Sequence, residues 1–253
     1  MKLQLVTLVS SVSLVGACVS GDIRGTIQEN PDIVFDVIEE NPERFLEVFN
    51  RAADTAKRKH YENRAAANAK RRQEELKNPR SPKLDPARRL SGSDTSDIVV
   101  VEYADFQCPA CSAAFTGIEK LKEKYGSRVA FYYKNMPLSF HPMAGPAAQY
   151  FEAILLQDRV KAAQFHAHVF RNQGSLSSED FLKKAAKLVG ADMGRLAKDI
   201  KSVVVTQRIA EDMAEFEKFR FTGTPVVVLS GITLEGAQGL AGLEEVVELT
   251  SKK

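Results

Sequence analysis

Cys108-Pro109-Ala110-Cys111 sets two thiols one helical turn apart, close enough to form a disulfide with each other. The continuous apolar run Ile98 to Val101 precedes them and reads as a buried strand. Ser112 to Lys124 follow and read as a helix with an apolar face at Phe115, Ile118 and Leu121. In a strand–turn–helix context, C-x-x-C reads as a redox dithiol. The first sulfur then lies at a helix N-terminus, where unpaired backbone N–H groups and the helix dipole favour an anion. Pro109 suits the first helical position, whose N–H has no intrahelical acceptor. Cys108 is thus read as the attacking thiolate and Cys111 as the resolving thiol. The same pair could be half of a zinc or copper(I) site completed by histidines. However, His166 and His168 stand two apart on a helical stretch and do not face each other, while His60 and His141 stand alone. A purely structural disulfide closing so short a loop would restrain little of the unfolded chain.

EYADFQCPAC, followed by YYKNMPLSFHPMAGPAAQYFEA, resembles the DsbA-like thiol:disulfide oxidoreductases over roughly residues 97–250. The resemblance implies an α/β protein: a thioredoxin fold with an inserted all-helical domain. It carries the family's catalytic pair onto Cys108 and Cys111, and its cis-proline onto Pro225 in Phe221-Thr-Gly-Thr-Pro-Val-Val-Val-Leu. An ordinary trans proline opening a strand is the alternative at that position. Pro109, Ala110 and Thr224 would line the substrate groove. Glu102, six residues before Cys108, falls where the family has a buried acid. On a strand it would point beneath the dithiol and relay the proton of Cys111, its own pKa raised by desolvation. Asp105 is read as a structural residue of an exposed turn, and His141 as a packing or capping residue.

The elements around this core divide the chain. Residues 1–17 carry one lysine and then an apolar run of signal-peptide length, ending Val15-Gly16-Ala17-Cys18. This tetrapeptide resembles a bacterial lipobox, so Cys18 is expected to carry a lipid anchor; an ordinary cleavage site after Ala17 overlaps it. Residues 22–77 form a helical arm and charged stalk. Ile27, Ile33, Val34, Val37, Ile38, Phe45, Leu46, Val48 and Phe49 recur at helical spacing, and Asn30-Pro31 and Asn41-Pro42 each read as a helix start. Two such helices cannot bury that face on themselves, so residues 22–50 are expected to join copies of the chain into a homo-oligomer. Residues 51–90 hold 13 Lys/Arg against 5 Asp/Glu and read as a solvated connector; an anionic-lipid or nucleic-acid patch is the rival reading. A linker spans 78–97. The catalytic domain spans 98–253, with a second strand at 128–134 and helical patterns alone across 142–219. Its last strands form an antiparallel pair across Ser230-Gly231, and a final helix covers 240–250.

With 253 residues, 44% of them apolar, the chain fits a globular protein and not a multi-span membrane protein. A net charge of +2 and the absence of tryptophan argue against nucleic acid as a partner. No Walker, Rossmann or protease motif occurs, and the reading calls for no cofactor and no metal. The expected location is the periplasm or cell envelope. The resemblance implies unfolded or misoxidised envelope proteins as substrates and a DsbB- or DsbD-like membrane thiol-redox partner. Three features lean toward disulfide isomerisation. Ala110 offers the thiolate no imidazolium, which predicts a milder oxidant than family members with histidine there. Thr224 is similar to the DsbC/DsbG isomerases. The arm is similar to those of isomerases and ScsC-like proteins. A simple oxidase and a redox-independent holdase are the competing readings.

Overall fold

The computed structural model describes residues 23–251. The signal segment and Cys18 lie outside them. Three helices open the described chain: α1 (Ile23–Glu29), α2 (Asp32–Glu40) and α3 (Pro42–Lys77). Helices α2 and α3 follow the two Asn-Pro steps. The structure adds α1, and it runs the second arm helix and the basic stretch together as one 36-residue helix. Nothing in that stretch can stop a helix: after Pro42 it holds neither proline nor glycine until Pro79. The division between the two compact units falls between Ala65 and Ala66. In the first unit no described residue is buried, and Phe35, Val37, Leu46 and Phe49 stand exposed.

The second unit is built on a five-stranded sheet, with β1 (Arg89–Ser91), β2 (Ile98–Ala104), β3 (Val129–Asn135), β4 (Val226–Leu229) and β5 (Ile232–Glu235) in the order β1-β3-β2-β4-β5. Strands β2 and β3 run parallel, joined by helix α4 (Pro109–Tyr125); the other pairings are antiparallel. The hairpin of β4 and β5 turns at Ser230-Gly231, with Leu229 opposite Ile232. Gly231 has φ +87°, and a Cβ there would meet Pro79 at 2.4 Å, so both conformation and space require glycine.

Part of the 78–97 stretch, a linker by its composition, belongs to the sheet. Strand β1 pairs with β3 at its edge, and Arg88 just before it is buried. The Arg88 guanidinium donates to Asp212 at 2.6 and 2.8 Å and to Glu152 at 2.5 Å. Asn135 closes the group, its side-chain amide donating to Glu152 and its backbone N–H to Asp212. A polar, proline-rich stretch hides such an anchor because its carboxylate partners lie far along the chain.

The sheet has two apolar faces, as period-2 alternation requires. Val101, Tyr103, Ala130, Tyr132, Val226 and Val228 face helix α9 (Val203–Lys218) through Phe216. Val100, Ala104, Phe131, Tyr133, Val227 and Leu229 face the larger core. That core takes in the buried stripe Cys111, Phe115, Ile118 and Leu121 of α4, and α10 (Leu240–Ser251) through Leu243, Val246 and Val247. Helices α5 (Ala144–Leu155), α6 (Arg159–Arg171), α7 (Glu179–Leu188) and α8 (Met193–Asp199) precede α9 in the run between β3 and β4. Short α8 is an addition to the four helical patterns read in the sequence; Asp192 caps it by accepting from the Arg195 N–H. Each fully buried Leu or Phe in this core is worth about 1.5–3 kcal/mol.

Candidate active site

Strand β2 ends at Ala104 and α4 begins at Pro109, so the connecting turn delivers Cys108 to the N-cap of α4. Cys108 is extended (φ −75°, ψ 121°), and its carbonyl accepts from the N–H groups of Cys111 and Ser112. Both cysteines are free thiols. Cys108 keeps 8% of its surface exposed and Cys111 none, while Pro109 and Ala110 between them are exposed. Both cysteines are buried, and of the two only Cys108 keeps any surface open to solvent. Burial drives the Cys111 thiol far above its usual range, with the charges of Glu102 and Cys108 adding to the shift.

The Thr224–Pro225 bond is cis. Pro225 is buried just ahead of β4, and the Thr224 carbonyl lies 3.7 Å from Cys108 Sγ. Across this face the turn is held by amides that sequence analysis did not single out. Gln173 donates to the carbonyls of Phe106 and Cys108, and Gln107 accepts from the Met143 N–H. Asp105 departs from the expectation of an exposed turn residue: it is 1% exposed. Its carboxylate accepts from the backbone N–H of Gln107 and of Leu138 and bonds His141 Nδ1 at 2.8 Å. Its own N–H points at Cys111 Sγ at 3.5 Å. The Leu138 contact spans 33 residues, which the local sequence does not reveal.

Glu102 stands on β2 between Tyr133 of β3 and Val227 of β4, fully buried on the face that carries the dithiol helix. Desolvation raises its pKa from 4.5 to about 8, with Lys122 opposing and Glu119 adding to the shift. In this folded protein the carboxyl therefore stays protonated from pH 4.5 to about 8, where the unfolded chain has released its proton. Stability conferred by this group is present below pH 4.5 and is lost as pH rises through that window. Glu102→Gln is expected to flatten the slope: its melting temperature at pH 8.5 should exceed that of the wild type by several degrees, with little difference at pH 4.5. Paired thermal melts at the two pH values check this.

Among the described residues no three His, Cys, Asp or Glu side chains converge as metal ligands. His166 is buried in an aromatic cluster, and His168 stacks on Phe181. His166 belongs to the apolar stripe Ala162, Phe165, Val169 and Phe170 of α6, the signal that could have placed it in the core.

The family model for thioredoxins matches residues 84–249. The chain belongs to the thioredoxin family. Within it, the likeness is to DsbA- and ScsC-type proteins. The probable disulfide bond formation protein D of Bacillus cereus is 31% identical over 150 residues, 55% of this chain and 68% of that one. A Na+/H+ antiporter NhaA 1 of Mycolicibacterium vanbaalenii is 30% identical over 176 residues, 68% of this chain but 28% of that protein. This thioredoxin-family chain thus spans less than a third of the antiporter's length. A linker-deletion variant of ScsC from Proteus mirabilis superposes with TM-score 0.58 at 20% identity, covering 90% of this chain and 97% of that one. That likeness concerns fold, and its coverage reaches beyond the thioredoxin match into the N-terminal helices.

Proposed function

We propose that the protein is an exported thiol:disulfide oxidoreductase that forms and isomerises disulfides in envelope proteins. The observation that carries the reading is the asymmetric dithiol: Cys108 at a helix N-terminus with exposed surface, Cys111 one turn on with none. In oxidation, a substrate thiolate attacks Cys108 Sγ of the Cys108–Cys111 disulfide. The intramolecular S–S bond breaks, a mixed disulfide forms on Cys108, and the Cys111 thiolate leaves. Glu102, protonated at neutral pH, gives its proton to that thiolate. A second substrate thiolate then attacks the substrate sulfur of the mixed disulfide and releases Cys108. The substrate has lost two electrons and the enzyme has become the dithiol. In isomerisation, the Cys108 thiolate attacks a wrong substrate disulfide, the freed substrate thiol attacks elsewhere, and Cys108 is expelled. Cys111 rescues a stalled mixed disulfide. Pro109, Ala110 and Thr224 border the attacking sulfur and form the substrate groove, with Pro225 presenting the Thr224 carbonyl. Reoxidation or rereduction falls to a membrane thiol-redox partner.

The arm supports the isomerase branch of this proposal. Its apolar face, exposed from Ile27 to Phe49, suits a second copy of the chain, and association would bring two or more dithiols to one misfolded client. Cys18 and the signal segment, outside the described residues, are proposed to send the chain to the envelope and anchor it there. The test is reactivation of scrambled, fully oxidised ribonuclease by the chain lacking residues 1–18. Reactivation establishes the isomerase. Failure, with reduced ribonuclease still becoming oxidised, replaces it with a simple oxidase.

A further inference from the structure

On the sheet face that packs against α4, two buried polar groups face each other without another hydrogen-bond partner. Neither Glu102 carboxyl oxygen has a hydrogen-bond partner, and neither does His166 Nε2. The two meet at 4.0 Å, with the side chains 0% and 4% exposed. The imidazole comes from α6, whose start is fixed by Asp158 accepting from the Val160 and Lys161 N–H groups. Its ring is walled by Tyr133, Phe170, Phe131 and Phe115, with centroids 4.6–5.7 Å away. In such a slot a phenyl ring would fill the same space without a buried polar nitrogen to desolvate, so packing alone does not account for histidine. The other titratable groups acting on this pair are Cys111, Glu119 and Lys122 of α4, Tyr133 of β3 and Arg171 of α6. None is hydrogen-bonded to either member of the pair: Lys122 and Arg171 are bonded to Glu119, and the Tyr133 hydroxyl donates to the Ala104 carbonyl. Burial keeps the imidazole neutral, well below its ordinary pKa, and keeps the carboxyl protonated at pH 7.

We propose that His166 is the positioning residue for Glu102: its Nε2–H holds the carboxyl beneath the dithiol and stabilises the carboxylate left when the proton passes to Cys111 Sγ. In that step the Glu102 O–H bond breaks and the Cys111 S–H bond forms as the S–S bond opens. His166 keeps its proton throughout and donates to the carboxylate. A small side-chain rotation closes 4.0 Å to hydrogen-bond distance, and the bond gains strength when its acceptor becomes charged.

This inference rests on Glu102 being the proton carrier, so the experiment separates the two. The rate at which glutathione opens the Cys108–Cys111 disulfide is measured against pH on the full chain and expressed per glutathione thiolate. The wild type is expected to slow above an inflection near pH 8, where Glu102 loses its proton. Glu102→Gln should abolish the inflection. His166→Phe, which removes the donor, should move it upward by about one to two pH units. His166→Gln, which restores an N–H, should bring it back. An inflection that persists in Glu102→Gln overturns the reading of Glu102 and the inference with it. Loss of the inflection in Glu102→Gln with no movement in His166→Phe overturns the role of His166 alone. Should His166→Phe fail to fold, ¹⁵N resonances of His166 in the wild type decide: they must shift with the Glu102 midpoint, and a flat response overturns the proposal.

Discussion

Cys108→Ser is expected to reduce disulfide exchange to the uncatalysed background, while Cys111→Ser leaves the first attack intact. The difference follows from position. Only Cys108 combines residual exposed surface with the N-cap position of α4. A serine hydroxyl there ionises far too weakly to replace it. Cys111 is buried completely, so its part is intramolecular. Without it, a mixed disulfide formed on Cys108 has no internal thiol to resolve it and should accumulate. Incubation of each variant with scrambled ribonuclease, acid quenching and mass analysis will read this out. The expected product is a stoichiometric covalent adduct for Cys111→Ser and none for Cys108→Ser. An adduct on Cys111 in the Cys108→Ser protein would reverse the assignment of roles.

Under the proposed function, removal of the arm is expected to cost the isomerase activity proposed for the full chain and spare the dithiol chemistry. The cut belongs just before Ala66, at the boundary between the compact units. Cutting at residue 78 instead would remove Glu75, whose carboxylate accepts from both the N–H and the hydroxyl of Thr233 and from Arg80. It would also remove Arg71 and Arg72, which pair with Glu235 and Glu245. The chain from Ala66 retains all of these. Its dithiol should react with a small disulfide at the wild-type rate, it should sediment as a monomer, and reactivation of scrambled ribonuclease should fall by about tenfold or more. Under the proposed association, that loss would reflect effective concentration: joined sites would meet one client at about millimolar levels. A monomer that reactivates ribonuclease as well as the full chain would remove the arm from the mechanism.

The dithiol and its platform were legible in the sequence because their signals are local. Ile98–Val101, the C-P-x-C turn and the stripe at Phe115, Ile118 and Leu121 lie within one strand–turn–helix unit, where periodicity shows directly. Glu102 was singled out by the family resemblance, which has a buried acid at that position, and the structure places it fully buried on β2. What escaped depends on partners distant in the chain. Asp105 looks like a turn residue until the N–H of Leu138 and the ring of His141 close on it. Strand β1 is three residues long at a sheet edge, held beside the buried Arg88, whose acceptors lie on α5 and α9. His166 carries a polar label on an apolar stripe, so sequence spacing tested it only as a metal ligand. Glu102, 4.0 Å from it, sits on a strand 64 residues earlier, beyond the reach of any local pattern.

As proposed, Cys108 and Cys111 form one two-electron couple with a single point of attack. This is tested most directly by equilibrating the wild-type chain with graded ratios of reduced and oxidised glutathione, quenching in acid and alkylating the remaining thiols. Both thiols should disappear together along one two-electron curve, and any glutathione adduct should sit on Cys108. Thiols that oxidise independently, or an adduct lodged on Cys111, would contradict this.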